Sequence, residues 1–135
     1  MKPLLHKILY PEYDDKCKQL TKEDEIRFAA IIDKDGAIVA GGFKKGIVPL
    51  EKDKLRLEEF MEFVYEISQR KSFDNSLGPI NYLAARRDKI ILVSFPFPLT
   101  ELTLLISADH TLDIEKLANH VIDVFDSEQS RFTDR

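Results

Sequence analysis

The sequence predicts an α+β domain, a five-stranded antiparallel sheet with helices packed on it. Three observations lead there. Short apolar runs rich in β-branched residues recur between turn residues, with amphipathic stretches of helical length before, between and after them. Successive strand candidates are joined by turns of hairpin length except at one place, so antiparallel pairing is the default. The order along the chain is helix, two strands, long helix, three strands, helix, which calls for helices layered on one sheet.

The first 25 residues read as an N-terminal helical segment. Leu4, Leu5, Ile8 and Leu9 stand at helical spacing until Pro11 intervenes. Pro11 suits the first position of a new helix, where its missing N–H would have no partner anyway. From it Tyr13, Cys17 and Leu20 recur at i, i+4 and i+7, one apolar face. Thr21–Glu25 is a charged connector. Ile26–Ile32 (IRFAAII) is short and apolar, the pattern of a central strand covered on both sides. Asp33-Lys34-Asp35-Gly36 is a hairpin signal with a glycine able to take positive φ. Ala37–Gly42 returns as the second strand, and its Gly41-Gly42 pair marks a bulge or a close backbone approach. Lys44–Asp53 is a loop.

Lys54–Lys71 is the clearest helix. At about 100° per residue, Leu57, Phe60, Met61, Phe63, Val64, Tyr65 and Ile67 spread over an arc of roughly 200°. A helix lying on one sheet needs an apolar stripe of about 100° or a little more. This helix therefore carries more apolar surface than a single sheet covers. Gly78-Pro79 stops whatever precedes it. Ile80–Arg86 alternates as a strand, Arg87-Asp88-Lys89 turns the chain, and Ile90–Phe95 is a buried strand closed by Pro96 and Pro98. Glu101–Ser107 is the fifth strand. Asp113 is an N-cap with Leu112 stapled to Leu117 across it, and Ile114, Leu117, Ala118, Val121, Val124 and Phe125 form the inner face of the last helix. Residues 127–135 read as a flexible tail.

With 135 residues the chain makes one domain, residues 1–135, large enough to bury about 68% of its unfolded surface without staples. Twenty Lys and Arg against 24 Asp and Glu leave a net charge of −4, which argues against nucleic acid and anionic membrane as partners. No apolar run approaches the roughly 20 residues of a membrane span, and His6 and Lys7 split the apolar N-terminus that a secretory signal would need unbroken. One cysteine, Cys17, builds neither an internal disulfide nor a Cys-rich metal site. The expected setting is reducing and cytoplasmic.

The element order, with IRFAAIIDKDG leading into AGG, resembles the dynein light chain roadblock family over roughly residues 11–125. The segments RFAAI, AGGFKKG, RKSFDNSLGPINY and VSFP are more closely similar to an uncharacterised archaeal family of comparable length. The roadblock resemblance implies a sheet ordered 2-1-5-4-3 with helices on both faces. Residues 26–32 are then interior and residues 80–86 an exposed edge. It also implies pairing of two chains through their long helices and edge strands, with a small Ras-like GTPase or another roadblock-like protein as partner.

Motifs for chemistry fall short one by one. Asp33-x-Asp35-Gly36 opens like an EF-hand, but its glycine arrives at position 4 and Ala37 occupies position 5, so a hairpin turn is the better reading. Gly41 and Gly46 have P-loop spacing, yet Ile47-Val48 replace the phosphate-reaching Lys and the Mg²⁺-binding Ser or Thr. His6, His110 and His120 have no two-ligand helical spacing, with His110 in a turn and His120 on the outer face of the last helix. Cys17 sits on an apolar stripe, where a thiol is buried and inert. No catalytic, metal or cofactor-binding set emerges, and a non-enzymatic protein is expected. Three small basic points, Lys44-Lys45, Arg70-Lys71 and Arg86-Arg87, lack the interleaved aromatics of a nucleic-acid groove and, if they converge, suit an acidic protein better.

The expectation is a homodimeric interaction module. Phe60, Phe63, Val64 and Ile67, with Tyr82 nearby, are the candidate seam, because an uncovered edge at residues 80–86 and an oversized apolar arc are both resolved by a two-fold axis beside that edge. The alternative cover is the N-terminal helix. Tyr65, Glu62, Glu66 and Arg70, with Glu58 and Lys71, form the candidate partner surface. The competing class is a small-ligand sensor of profilin- or PAS-like architecture, which needs a pocket of about 300 Å³ or more. Large apolar residues at the core positions predict no such cavity.

Overall fold

Asp33 sets the first hairpin. Its Oδ1 accepts hydrogen bonds from the backbone N–H of Asp35 at 2.9 Å and of Ala37 at 3.0 Å, while Gly36 turns the chain at φ 76°. The turn joins β1 (Ile26–Ile32) to β2 (Ile38–Phe43). The structure, a computed structural model, describes residues 11–97 and 100–125. The expected helical spacing of Leu4, Leu5, Ile8 and Leu9, the role of Pro98 and the tail at 127–135 lie outside the described residues.

The described elements run α1 (Pro11–Thr21), β1, β2, α2 (Lys54–Ser68), the short α3 (Asp74–Leu77), β3 (Leu83–Arg86), β4 (Ile91–Pro96), β5 (Thr103–Ala108) and α4 (Ile114–Val124). All strand pairs are antiparallel, in the order β2-β1-β5-β4-β3, so the sheet order implied by the resemblance holds. The chain has the roadblock-like layout that its sequence suggested. β1 spans the residues expected, and the other strands differ by a few residues at their ends. α2 stops at Ser68, three residues early, and α3 follows it where no element was expected. The larger change is β3. Only Leu83–Arg86 pairs, opposite Ser94 to Ile91, and Ile80–Tyr82 lies outside the strand. Two residues before Leu83 the ladder would oppose Asn81 to Pro96, which has no N–H to extend it.

Alternation along the strands divides the core in two. Ala29 and Ile31 of β1, with Val93 of β4 and Leu104 and Ile106 of β5, face α1 and α4. Tyr13, Cys17 and Leu20 of α1 and Leu117, Val121 and Phe125 at α4 close over them. The rings of Tyr13, Phe97 and Phe125 pack against one another with centroids 5.4–6.1 Å apart. Phe28, Ala30 and Ile32 of β1 point the other way, toward Leu105 and toward Met61 of α2.

The expected close approach at Gly41 is real. At φ 78°, a Cβ there would stand 2.3 Å from the Ala29 carbonyl oxygen and 2.8 Å from the Cys17 Sγ, so the missing side chain is what lets α1 lie down on β2. The Gly41 N–H donates to Asp14 Oδ1 of α1 at 2.6 Å. Asp113 caps α4 as expected, accepting from the Lys116 N–H at 3.2 Å.

Candidate functional site

α2 is held at its two ends by different means. At the C-terminal end the buried Ser68 Oγ and Ser94 Oγ share a hydrogen bond of 2.6 Å, and Gln69 Nε2 donates to the Leu102 carbonyl and to Thr103 Oγ1, each at 2.9 Å. Tyr65 donates its hydroxyl to the Glu101 carbonyl oxygen at 2.6 Å. At the N-terminal end Asp53 caps the helix, accepting from Leu55 N–H and Arg56 N–H, and Arg56 pairs with Glu51 at 3.1 Å. The polar bonds to the sheet thus gather at one end of the helix.

Beneath the other end lies an open groove of about 1000 Å³. Phe28, Leu92 and Leu105 rise from the sheet, and Leu57, Phe60 and Met61 descend from α2. Around them stand Arg27, Arg56, Arg86, Arg87 and Lys89, against Glu51, Glu59 and Asp88. This corrects the expectation that no cavity of ligand size exists. The core positions are filled with large side chains as foreseen, but a helix about 10 Å across cannot cover five strands spaced about 4.8 Å apart.

The expected seam residues divide. Phe63 is 58% exposed and Ile67 37%, while Phe60 and Val64 are half-buried. Tyr82 is elsewhere. Its ring packs on Phe95 within the cluster under α4, and its hydroxyl is hydrogen-bonded to Glu115 of α4, so it belongs to the opposite face of the sheet from α2. The expectation that it lies near the α2 residues is corrected: Ala84 pairs with Val93, which faces α1 and α4, and alternation by two carries Tyr82 to that same face. The alternative cover for α2 also fails for Pro11–Thr21, which packs on that same opposite face.

On the candidate partner surface, Glu62 is exposed and Glu66 pairs with Arg70 at 3.4 Å along one helical turn. Tyr65 is half-buried against the sheet and its hydroxyl is engaged. Burial foremost, with the nearby Glu101 and Asp33 carboxylates, raises its pKa. The three basic points do not converge. Lys44 Nζ donates to the Glu23 and Asp24 carbonyls, Arg70 and Lys71 border a small cavity of about 100 Å³, and only Arg86-Arg87 reach the groove. Arg27, Arg56 and Lys89 join them there. Spacing along the chain had no way to signal that convergence.

Cys17 is buried at the α1–β2 contact. Desolvation, reinforced by Asp14, pushes its thiol up to about 12, so it stays protonated and unreactive at neutral pH. His120 is not on an outer face. It is half-buried, with Nε2 3.7 Å from Glu23 Oε1 and without a hydrogen-bond partner among the described residues. Among those residues no three His, Cys, Asp or Glu side chains gather closely enough to hold a metal ion, and no helix is long and apolar enough to cross a membrane.

The comparisons with known proteins agree with this geometry. No curated protein matches the chain in sequence. Among solved structures, the fold is similar to a Roadblock/LC7 domain from Streptomyces avermitilis, with TM-score 0.62 and 13% identity over 89% of this chain and 97% of that one. It is similar also to the gliding protein MglB from Thermus thermophilus, with TM-score 0.63 and 13% identity over 89% and 92%. A third is MglB with a tetrameric arrangement, with TM-score 0.57 and 13% identity over 87% and 92%. Identities this low establish the fold and nothing finer. Residues 5–135 match a family of unknown function, DUF6659, and the chain belongs to that family.

Proposed function

We propose that this chain is a non-enzymatic, homodimeric interaction module of roadblock type, serving in the cytoplasm as a scaffold or regulator for a small Ras-like GTPase. The observation that carries the reading is the α2 face, on which Phe63 and Ile67 stand exposed beside half-buried Phe60 and Val64. Solvated apolar surface of this kind on a helix that already rests on a sheet favours association. The short, exposed edge strand β3 supports it, since its free backbone groups are open to pairing with a second copy. The tetrameric arrangement of MglB is in keeping with self-association of this fold.

The seam we assign is Phe60, Phe63, Val64 and Ile67. Tyr82 contributes at most through the chain entering the edge strand. The exposed acids Glu58, Glu62 and Glu66 and the cation Arg70 flank the seam and would steer a charged partner more than hold it. Light scattering after gel filtration is expected to give about 31 kDa, twice the chain mass of 15.6 kDa. Phe63→Glu is expected to return the mass to that of one chain with the circular dichroism of the fold intact. A single-chain mass for the unsubstituted protein at micromolar concentration would reject the dimer. Titration against small GTPases of the same organism in both nucleotide states tests the partner, and absence of binding to all of them would reject it.

The groove favours a second reading, the small-ligand sensor. Its volume exceeds the roughly 300 Å³ that a ligand site needs. A thermal-shift screen with nucleotides and metabolites decides it, a single strong stabiliser being enough to displace the first reading.

A further inference from the structure

The net charge of −4 conceals a local reversal. Between β2 and the first turn of α2, residues 44–56 hold five cations, Lys44, Lys45, Lys52, Lys54 and Arg56, against two acids, Glu51 and Asp53. Both acids are engaged, Glu51 with Arg56 at 3.1 Å and Asp53 as the cap of α2. Lys45, Lys52 and Lys54 are exposed and form no ion pair with any described residue. Lys54 and Arg56 stand in the first turn of α2, which holds no acid, where the helix dipole disfavours cations. A local choice that works against its own helix points to a demand from outside it. Among these charges three aliphatic side chains meet solvent. Val48 is 64% exposed, Leu50 53% and Leu55 71%. The loop that carries them is held in shape, with the Ile47 N–H donating to the Lys44 carbonyl at 3.0 Å and Arg27 to the Val48 carbonyl at 3.4 Å.

We propose that this loop docks the chain on an anionic lipid surface, with Val48, Leu50 and Leu55 entering the boundary between headgroups and acyl chains. Apolar insertion and the attraction of cations to anionic headgroups are the two terms that hold a protein on a membrane surface. Lysine suits the place, since its stem lies along apolar surroundings while its ammonium stays in water. Composition separates the loop from a protein-binding patch, whose centre is enriched in aromatics and Arg and depleted in Lys. No aromatic residue stands between Lys44 and Arg56, which also disfavours single-stranded nucleic acid. The argument from net charge against an anionic membrane does not reach this loop, because salt limits a charge's influence to about 8–10 Å and a surface meets the loop rather than the total. The exposed acids Glu58, Glu59, Glu62 and Glu66 follow on α2 and restrict the approach to this end of the helix. The loop leaves β2, the sheet edge opposite β3, and so lies away from the axis proposed for self-pairing.

Sedimentation of the full chain with lipid vesicles tests the proposal. Binding is expected to phosphatidylcholine vesicles that contain about 30% phosphatidylserine, with little to phosphatidylcholine alone, and is expected to weaken as salt is added. Lys45→Glu with Lys52→Glu and Lys54→Glu is expected to weaken it at least about a hundredfold, at about fivefold for each lysine lost. Val48→Ser with Leu50→Ser is expected to weaken it at least about tenfold although no charge changes. Both variants alter exposed side chains, so their circular dichroism and light scattering are expected to match the unsubstituted chain. A single-chain mass with vesicle binding intact would reject the self-pairing and leave this proposal standing. No binding to the phosphatidylserine vesicles, or equal binding by either variant, would overturn it. So would binding to soluble polyglutamate or heparin without binding to vesicles, which would make the loop a site for acidic macromolecules instead.

Discussion

On one face of the sheet α1 and α4 touch each other and close the surface; on the other α2 lies alone, and the strands beyond its width open into a groove. The first face buries a continuous cluster running from Tyr13 to Phe125, whereas fully buried side chains on the second are few, centred on Phe28, Ile32, Met61 and Leu105. The difference is one of coverage. Two helices about 10 Å across span a five-stranded sheet and one does not. The two-helix face is where the stability of the fold concentrates, and the one-helix face is where surface remains for other molecules.

Substitutions can break this contrast directly. Phe125→Ala, at a side chain with no solvent exposure between α1 and α4, is expected to cost about 3–5 kcal/mol in urea unfolding. Leu55→Ala on α2, at a residue 71% exposed, is expected to stay within about 0.5 kcal/mol. Equal losses at the two positions would remove the distinction between the faces.

Two glycines sharpen it. Gly41→Ala drives a Cβ into the Ala29 carbonyl and Cys17 on the two-helix face, at positive φ, and is expected to cost about 3–4 kcal/mol. Gly36→Ala sets a Cβ 2.6 Å from the Glu62 backbone nitrogen and 2.7 Å from the Glu58 carbonyl oxygen of α2. Here α2 has an open groove to yield into, so about 2 kcal/mol is expected. Chemical denaturation at one fixed protein concentration ranks the two, and a larger loss at Gly36 would mean that α2 is as tightly held as α1.

Alkaline pH adds a titration of the same contrast. The Cys17 thiol is raised from 9.0 to about 12 in the folded chain, so the folded state keeps a proton that the unfolded state releases. Its stabilising contribution is complete below pH 9 and is lost as pH rises toward 12, at a slope of about 1.4 kcal/mol per pH unit. Cys17→Ala is expected to flatten that fall. What slope remains at higher pH has the same sign at Tyr65 and Tyr82, whose pKa values are also raised. An unchanged slope in Cys17→Ala would show that the thiol is not sealed by α1. The smallest expected effect is at the helix caps. Asp53→Ala on α2 and Asp113→Ala on α4 each remove a side chain that accepts from the first turn, for about 1 kcal/mol by thermal unfolding.

Local chemistry was legible residue by residue. The Asp33 turn, the Asp113 cap, the α1 stripe of Tyr13, Cys17 and Leu20 and the tight spot at Gly41 each follow from a side chain acting on its near neighbours. The oversized apolar arc of α2 was legible too, as a composition fact, and Phe63 and Ile67 are indeed exposed. Tyr82 was misplaced because alternation groups it with Ala84 but does not say which sheet face that group meets, and the pairing of Ala84 with Val93 puts it on the α4 side. The groove was missed for a related reason. Volume and hydrophobicity at core positions say what fills a core, not how wide a sheet one helix must cover.

What the sequence by itself determined is the set of elements and their caps, turns and apolar faces, because these depend on interactions within a few residues along the chain. The sheet order was recognisable only through resemblance to a known family. Tertiary structure alone decided which helix lies on which face, where β3 begins and which cations meet. Arg27, Arg56 and Arg86 stand far apart in sequence and come to one rim only after the strands pair, since pairing and layer packing join residues whose separation along the chain carries no information about their distance in space.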